Sequence, residues 1–290
     1  MGSGITVEVS AFLLAVAPVA ALLAAFRRAD KARPEPLTEV ARTMAAGIAV
    51  TVPVFATELA LKHWLGDAAL VAGRFLDAYL VAALVEEGAK LIVVMTVAFP
   101  RRAFDEFTDG VLYTGAASLG FGLLENLLYV SGWFAVWFCS LPTVRLLCGP
   151  SAMGPTETHH IVLGFVRALT AVPMHAVSGG LMGYFIGRAR YPDVRPTVDA
   201  SEDVVDLVPA VIPRKAAWCL LGLAVAVAVH GTYDWVVYAF GGRRLIFVAL
   251  PLILGGASWA LARLVRHSLS LDEALHEPGR RSSLVIVRQR

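Results

Sequence analysis

Glu86, Glu87 and Lys90 stand within one helical turn of each other, inside an otherwise apolar run. At about 100° per helical residue the glutamates lie about 100° apart and Lys90 falls between them, so one face presents two carboxylates flanking an ammonium. Further on, Glu125 and Asn126 follow Phe121 by one turn, His175 follows Pro173, and His230 precedes Asp234 by one turn. A histidine one turn from a carboxylate can be oriented by it or share a ligand with it. These are the residue types of proton transfer and of metal-bound water. Each charge in hydrocarbon costs roughly 2.5–3.5 kcal/mol even on lenient insertion scales, so ionisable residues there point to a task. No H-E-x-x-H motif is present.

The elements that must carry these residues are membrane spans. The chain has 290 residues, 57% hydrophobic and 17% charged, with mean hydropathy +0.67. Soluble chains are nearer half apolar and a quarter charged, so this composition excludes a soluble core or a disordered scaffold. The net charge of +2 offers no basic footprint for nucleic acid. Seven apolar stretches predict an all-α, polytopic helical bundle, at roughly 9–26, 43–61, 70–99, 110–130, 161–187, 216–240 and 245–264. Segment 131–160 opens with Trp133, Phe134, Trp137 and Phe138, then breaks at Pro142, Gly149 and Pro150. It reads as interfacial or re-entrant, with an eighth span the less favoured count. Residues 1–265 form one transmembrane domain with its core motifs in 80–240, and 266–290 reads as a flexible tail.

With seven spans and the amino terminus outside, 18 Lys and Arg fall on the inner side against 4 outside. The positive-inside rule then puts the carboxy terminus in the cytosol. Arginine outnumbers lysine 21 to 4, a bias suggesting a GC-rich bacterium and hence a bacterial cell membrane. Three cysteines make no framework. A Cys139–Cys148 bridge is the minority reading, and Cys219 is expected free. Arg74 and Asp77 read as a structural ion pair. Arg167 lacks a partner in its own helix and reads as structural, pairing a carboxylate across helices, with a substrate carbonyl the alternative. The stripe Gly179, Gly183, Gly187 is expected to pack helices.

Depth draws the polar residues together. Measured along each helix from its inner end, Glu86 lies roughly 20 Å in, Glu125 about 24 Å, His175 about 18 Å, His230 about 21 Å and Asp234 about 27 Å. Four helices of alternating direction thus place their polar groups in one slab. Glu86, Glu87, Glu125 and Asp234 against Lys90 leave about three negative charges in excess, which low dielectric does not tolerate. Either some carboxyls are protonated or a divalent metal, Zn²⁺ or another, supplies the charge.

The ordered set Glu86-Glu87-x-x-Lys90, Asp109-Gly110, Phe121-x-x-x-Glu125-Asn126, Pro173-x-His175 and His230-x-x-x-Asp234 resembles the PrsW family of bacterial intramembrane proteases, distant relatives of the CAAX- and bacteriocin-processing membrane proteases. The resemblance covers about residues 40–240. It implies an endopeptidase acting on single-span, membrane-anchored substrates, with anti-sigma factors as the substrate class. It further implies that Glu86, Glu87, Glu125, His175 and His230 are catalytic or metal-binding and that Lys90 and Asp234 orient them. The metal set expected is Glu125, His175 and His230. A water activated by Glu86 or Glu87 would attack the peptide bond, with Lys90 or a metal steadying the oxyanion. The rival is a proton-coupled transporter using the same relay, although no repeat relates the two halves. A third reading is a non-catalytic scaffold whose polar cluster fixes helix register.

Overall fold

The computed structural model describes residues 2–30, 33–65, 74–141, 157–192, 194–196, 212–241, 243–276 and 284–286. Its helices are α1 (Gly2–Ala29), α2 (Leu37–Leu65), α3 (74–98), α4 (Phe107–Val130), α5 (Gly132–Ser140), α6 (Glu157–Leu169), α7 (Ala171–Arg190), α8 (Arg214–Phe240) and α9 (Ile246–His276). Among the described residues six segments are long and apolar enough to cross a membrane: Glu8–Ala29, Leu37–Leu65, Phe107–Val130, Ile161–Arg190, Arg214–Phe240 and Ile246–His276. The remaining expected span is α3. Its pitch changes twice, with π-helical Asp77–Ala83 and Val94–Ala98 flanking α-helical Leu84–Val93. Wider π turns cluster at functional sites, and here they bracket the stretch carrying Glu86, Glu87 and Lys90. The architecture is a polytopic helical membrane bundle.

α4 is the central post. It is apolar around its circumference and buried along nearly its whole length, as expected of a helix with neighbours on every side. It packs most heavily on α7, then on α2 and α1. The α4–α7 crossing is close because glycine lines it: a Cβ on Gly110 would run into the backbone of Gly183 and Gly187, and one on Gly187 into Phe107 O. The glycine stripe therefore packs helices, as expected. Between α6 and α7 the chain breaks at Thr170, whose φ of −127° and ψ of −62° are not helical. Pro173 causes the break, since it cannot donate to the Leu169 carbonyl and its ring collides there.

One end of the bundle gathers the α1–α2 and α3–α4 connections and the last turns of α9. We call it the arginine-rich end. Asp272 of α9 accepts from Phe107 N at 2.6 Å, Thr108 N at 3.1 Å and Thr108 Oγ1 at 2.5 Å. Asp109 accepts from Asp105 N at 2.7 Å and Glu106 N at 2.6 Å. These carboxylates occupy the orphan donors of the α4 N-terminus, where negative charge is also favoured by the helix dipole. Tyr113 donates to Glu35. Burial pushes the carboxyls of Glu35 and Glu106 up to about 7.

Several expectations change. α9 does not stop near 264 but runs to His276, because Ser268, Leu271, Asp272 and Ala274 bury one face of its last turns. The boundary at 265/266 therefore falls inside a helix. Residues Val194–Pro196 (β1) and Leu284–Ile286 (β2) pair as short antiparallel strands, a small addition to an otherwise helical fold. Asp77 pairs with Lys62 of α2 at 3.6 Å rather than with Arg74. α5 is too short to span, and residues 142–156 lie outside the described ones. Cys139 is disulfide-bonded, Cys148 lies outside the described residues, and Cys219 is free and buried.

Candidate active site

Four helices deliver the polar residues to one place. From α3, Lys90 Nζ donates to Glu86 Oε2 at 3.2 Å and to Glu87 Oε1 at 2.8 Å. It also reaches His175 Nδ1 of α7 at 3.1 Å. An ammonium only donates, so Nδ1 accepts and the ring proton sits on Nε2. That proton goes to Glu125 Oε2 of α4, with Nε2 2.6 Å away. From α8, His230 Nδ1 donates to Glu87 Oε1 at 2.7 Å. Its Nε2 lies 3.3 Å from Asp234 Oδ2 and 3.9 Å from Glu86 Oε2. The seven residues singled out in the sequence thus form one continuous set of contacts.

The local sequence explains the placement. Leu84–Val93 keeps α geometry, so Glu86, Glu87 and Lys90 share a face and the ammonium bridges both carboxylates. Gly122 leaves room for the imidazole: a Cβ there would come within 2.8 Å of His175 Cδ2. Phe121 lies under the lysine, with Nζ 4.4 Å from the ring centroid, a cation–π contact that partly replaces lost water. The two imidazoles meet edge to face, their centroids 5.3 Å apart.

The two glutamates of the E-E pair differ. Glu86 lines a cavity of about 250 Å³ together with Glu125, His175, His230 and Asp234. Glu87 is fully buried behind it, held by Lys90, His230 and Ser178, whose hydroxyl donates at 3.2 Å. Lys90 is fully buried as well and is not among the lining residues. Glu87 is therefore an anchor for His230 and Lys90, and Glu86 is the member of the pair exposed to whatever enters.

Three residues offer ligand atoms within 4.8 Å of one another: Glu86, His175 and His230. This set differs from the expected one in having Glu86 where Glu125 was placed. The reason is geometric. Glu125 Oε2 is taken by His175 Nε2, and Glu125 Oε1 pairs with Arg167 Nη2 at 3.2 Å. Glu125 stands behind the histidine, in the outer position that commonly fixes the tautomer of a metal-binding imidazole. The donor set fits a divalent metal: two imidazoles and one carboxylate are a three-ligand hydrolytic zinc set, which leaves an open position. His175 Nδ1, which accepts from Lys90, and His230 Nε2 each lie 3.9 Å from Glu86 Oε2, so a cation held there would take the Nδ1 lone pair in place of the lysine proton.

Sequence reasoning missed Glu58 and Ser178. Glu58 lines the cavity from α2 beside Lys62, one turn on, and its Oε1 is buried without a hydrogen-bond partner. A carboxylate within an apolar span, one turn from a lysine, was the available signal. Ser178 follows His175 by one turn, and a serine in a span carries almost no signal by itself. The cross-helix partners of Arg167 were also out of reach of the sequence.

Comparison with known proteins bears on the chain as a whole. The model of the PrsW family intramembrane metalloproteases matches residues 35–256. "Protease PrsW" of Bacillus subtilis is 29% identical over 240 residues, covering 82% of this chain and 87% of that protein. "Protease PrsW" of Geobacillus kaustophilus is 26% identical over 253 residues, covering 87% and 89%. That of Clostridioides difficile is 22% identical over 230 residues, covering 78% of each. No solved structure matches the chain. The site, the span pattern and the match over most of the length agree: this chain belongs to the PrsW family of intramembrane metalloproteases.

Proposed function

We propose that the protease hydrolyses a peptide bond of a single-span membrane protein, of the anti-sigma-factor kind, at the cavity-facing carboxylate of Glu86. The amino terminus faces outward and the carboxy terminus the cytosol. The supporting observation is that Glu86, His175 and His230 line one cavity inside the bundle with ligand atoms within 4.8 Å of one another. The water oxygen attacks the scissile carbonyl carbon. Its proton passes to Glu86 and then to the leaving amine as the C–N bond breaks, which gives one new carboxyl and one new amino terminus.

Glu86 through Oε2, with His175 and His230, would hold a divalent metal, zinc being the fitting choice, which leaves the other Glu86 oxygen to take the proton. When bound, that ion supplies an acidified water and polarises the carbonyl. Charge supports this reading. Glu58, Glu86, Glu87, Glu125 and Asp234 face Lys62, Lys90 and Arg167, and five carboxylates less three cations leave two negative charges with neutral imidazoles. One divalent ion balances them. Glu87 orients His230 through Nδ1, Glu125 orients His175, Asp234 lies beside His230 Nε2, and Lys90 holds Glu86 and Glu87 apart from each other's charge.

The test is cleavage of a reconstituted single-span substrate by Glu86→Gln, His175→Ala and His230→Ala. Each should lose about 10²–10⁴-fold in rate while helical content and melting midpoint stay near wild type. Near-wild-type cleavage by all three contradicts the reading.

A further inference from the structure

Among the described residues the Arg167 side chain meets three groups of α4. Its Nη2 pairs with Glu125 Oε1 at 3.2 Å, its Nε donates to Asn126 Oδ1 at 2.8 Å, and its guanidinium carbon lies 4.2 Å from the centroid of the Tyr129 ring. Glu125, Asn126 and Tyr129 span little more than one turn, so α4 presents a socket and α6 supplies the plug. Consecutive helical residues point about 100° apart, so one group can bond both side chains only if its donors diverge. The planar guanidinium fork does so from two separate nitrogens, Nη2 toward Glu125 and Nε toward Asn126, whereas an ammonium, as Lys90 does with Glu86 and Glu87, must reach both neighbours from a single nitrogen. Asn126 is fully buried, its carbonyl oxygen is taken by Arg167, and its Nδ2 has no hydrogen-bond partner. The asparagine is thus used as an acceptor, which is what a guanidinium needs from it.

We propose that Arg167 is a positioning residue for peptide-bond hydrolysis, acting through Glu125 on His175, and that the Glu125-Asn126 pair is its receptor. The proposal rests on the reading of His175 as part of the hydrolytic site. With Oε1 occupied by Arg167, Glu125 has only Oε2 to offer His175, and there Nε2 finds it at 2.6 Å. This bond fixes the ring with Nδ1 turned toward Lys90 and Glu86. Without the guanidinium the carboxylate is free to turn about its last torsion, and the imidazole loses its fixed acceptor. A buried carboxylate stripped of its partner also becomes costly, which favours protonation or rearrangement over the working geometry. Position in the chain strengthens the case. Arg167 lies three residues before the break at Thr170, so it ties α6 to the central helix where the backbone cannot continue straight into α7.

The experiment uses full-length protein in proteoliposomes with a single-span substrate, comparing wild type, Arg167→Lys, Arg167→Ala, Glu125→Gln, the Arg167→Ala/Glu125→Gln double variant and His175→Ala. Arg167→Ala should lower kcat about 10–100-fold, as loss of an outer orienting group does, with KM changed less than about threefold. Arg167→Lys keeps the charge but loses the fork and should recover less than half of that loss. Ethylguanidinium at millimolar concentration should restore part of the kcat of Arg167→Ala, a rescue that a merely structural role would not show. The double variant should be no slower than Glu125→Gln alone, because both changes act at one point. Full kcat in Arg167→Ala, or losses that multiply in the double variant with no rescue, would overturn the proposal. If Arg167→Ala fails to fold, Arg167→Lys and its coupling with Glu125→Gln decide in the same way. An active His175→Ala would defeat the hydrolytic reading itself, whereas an inactive His175→Ala beside a fully active Arg167→Ala defeats only the role of Arg167.

Discussion

Two regions of this molecule take carboxylates out of water, and they treat them differently. At mid-bundle, Glu86, Glu87, Glu125 and Asp234 are met by side chains: an ammonium, a guanidinium and two imidazoles. At the arginine-rich end, Asp30, Asp109 and Asp272 are met chiefly by backbone N–H groups, from Glu35, from Asp105 and Glu106, and from Phe107 and Thr108. Proximity does not separate the two. Asp30, Glu106 and Asp109 approach as closely as Glu86, His175 and His230, with ligand atoms within 4.8 Å. What separates them is chemistry. The arginine-rich end spends its oxygens on closing loops and on the start of α4, a capping task. The mid-bundle site sets two imidazoles and a carboxylate around an interior cavity, and these can bind a cation or move a proton.

Breaking the metal donor set should give the largest effect. A chelator applied to the purified protease should reduce cleavage to background, and Zn²⁺ should restore it, while the melting midpoint moves little. The arginine-rich end, where the first turn of α4 is closed by backbone capping, should keep its stability throughout. Chelation that leaves cleavage intact would remove the metal from the account but leave Glu86 in place.

A middle-sized effect should come from the other region. Asp272→Ala strips Phe107 N and Thr108 N of their acceptor, and a buried donor left unsatisfied costs about 1–3 kcal/mol. Its melting midpoint should fall, while cleavage per folded molecule stays within about threefold of wild type. Loss of cleavage with an unchanged midpoint would show that the end region does more than hold α4.

The smallest effect is pH dependence of stability. Glu35 and Glu106 sit near 7 in the folded protein against an ordinary 4.5, because burial penalises their charged forms. The folded state therefore holds more protons than the unfolded state across that interval. Stability should be highest below about pH 4.5 and fall as pH rises to about 7. Thermal melts at intervals from pH 5 to 8 check this, and Glu35→Gln and Glu106→Gln should flatten the slope. A midpoint that rises over the same range contradicts it.

The same contrast explains what could be read from the sequence. Hydropathy located the spans because hydrocarbon demands about 20 apolar residues for each crossing. One-turn spacings brought Glu86, Glu87 and Lys90 together, and His230 with Asp234, because neighbours on a helix face are fixed by its pitch. Depth along the spans placed Glu125 and His175 at the same level. Sequence could not divide the roles of the two glutamates, since which of them faces a cavity depends on how α3 is turned against α7 and α8. Nor could it choose between Glu125 and Glu86 as a partner for the histidines, because Arg167 comes from another helix. The last turns of α9 were hidden by composition: Arg266, His267, Asp272 and Glu273 read as a solvated tail until Asp272 is seen closing α4.

Chemistry belongs to the mid-bundle carboxylates and structure to those at the arginine-rich end. Cleavage of a single-span substrate by Glu86→Gln and by Glu106→Gln, measured side by side at equal amounts of folded protein, tests it most directly. Cleavage by Glu86→Gln should fall about 10²–10⁴-fold while that by Glu106→Gln stays within about threefold of wild type. An active Glu86→Gln, or an inactive but folded Glu106→Gln, would contradict it.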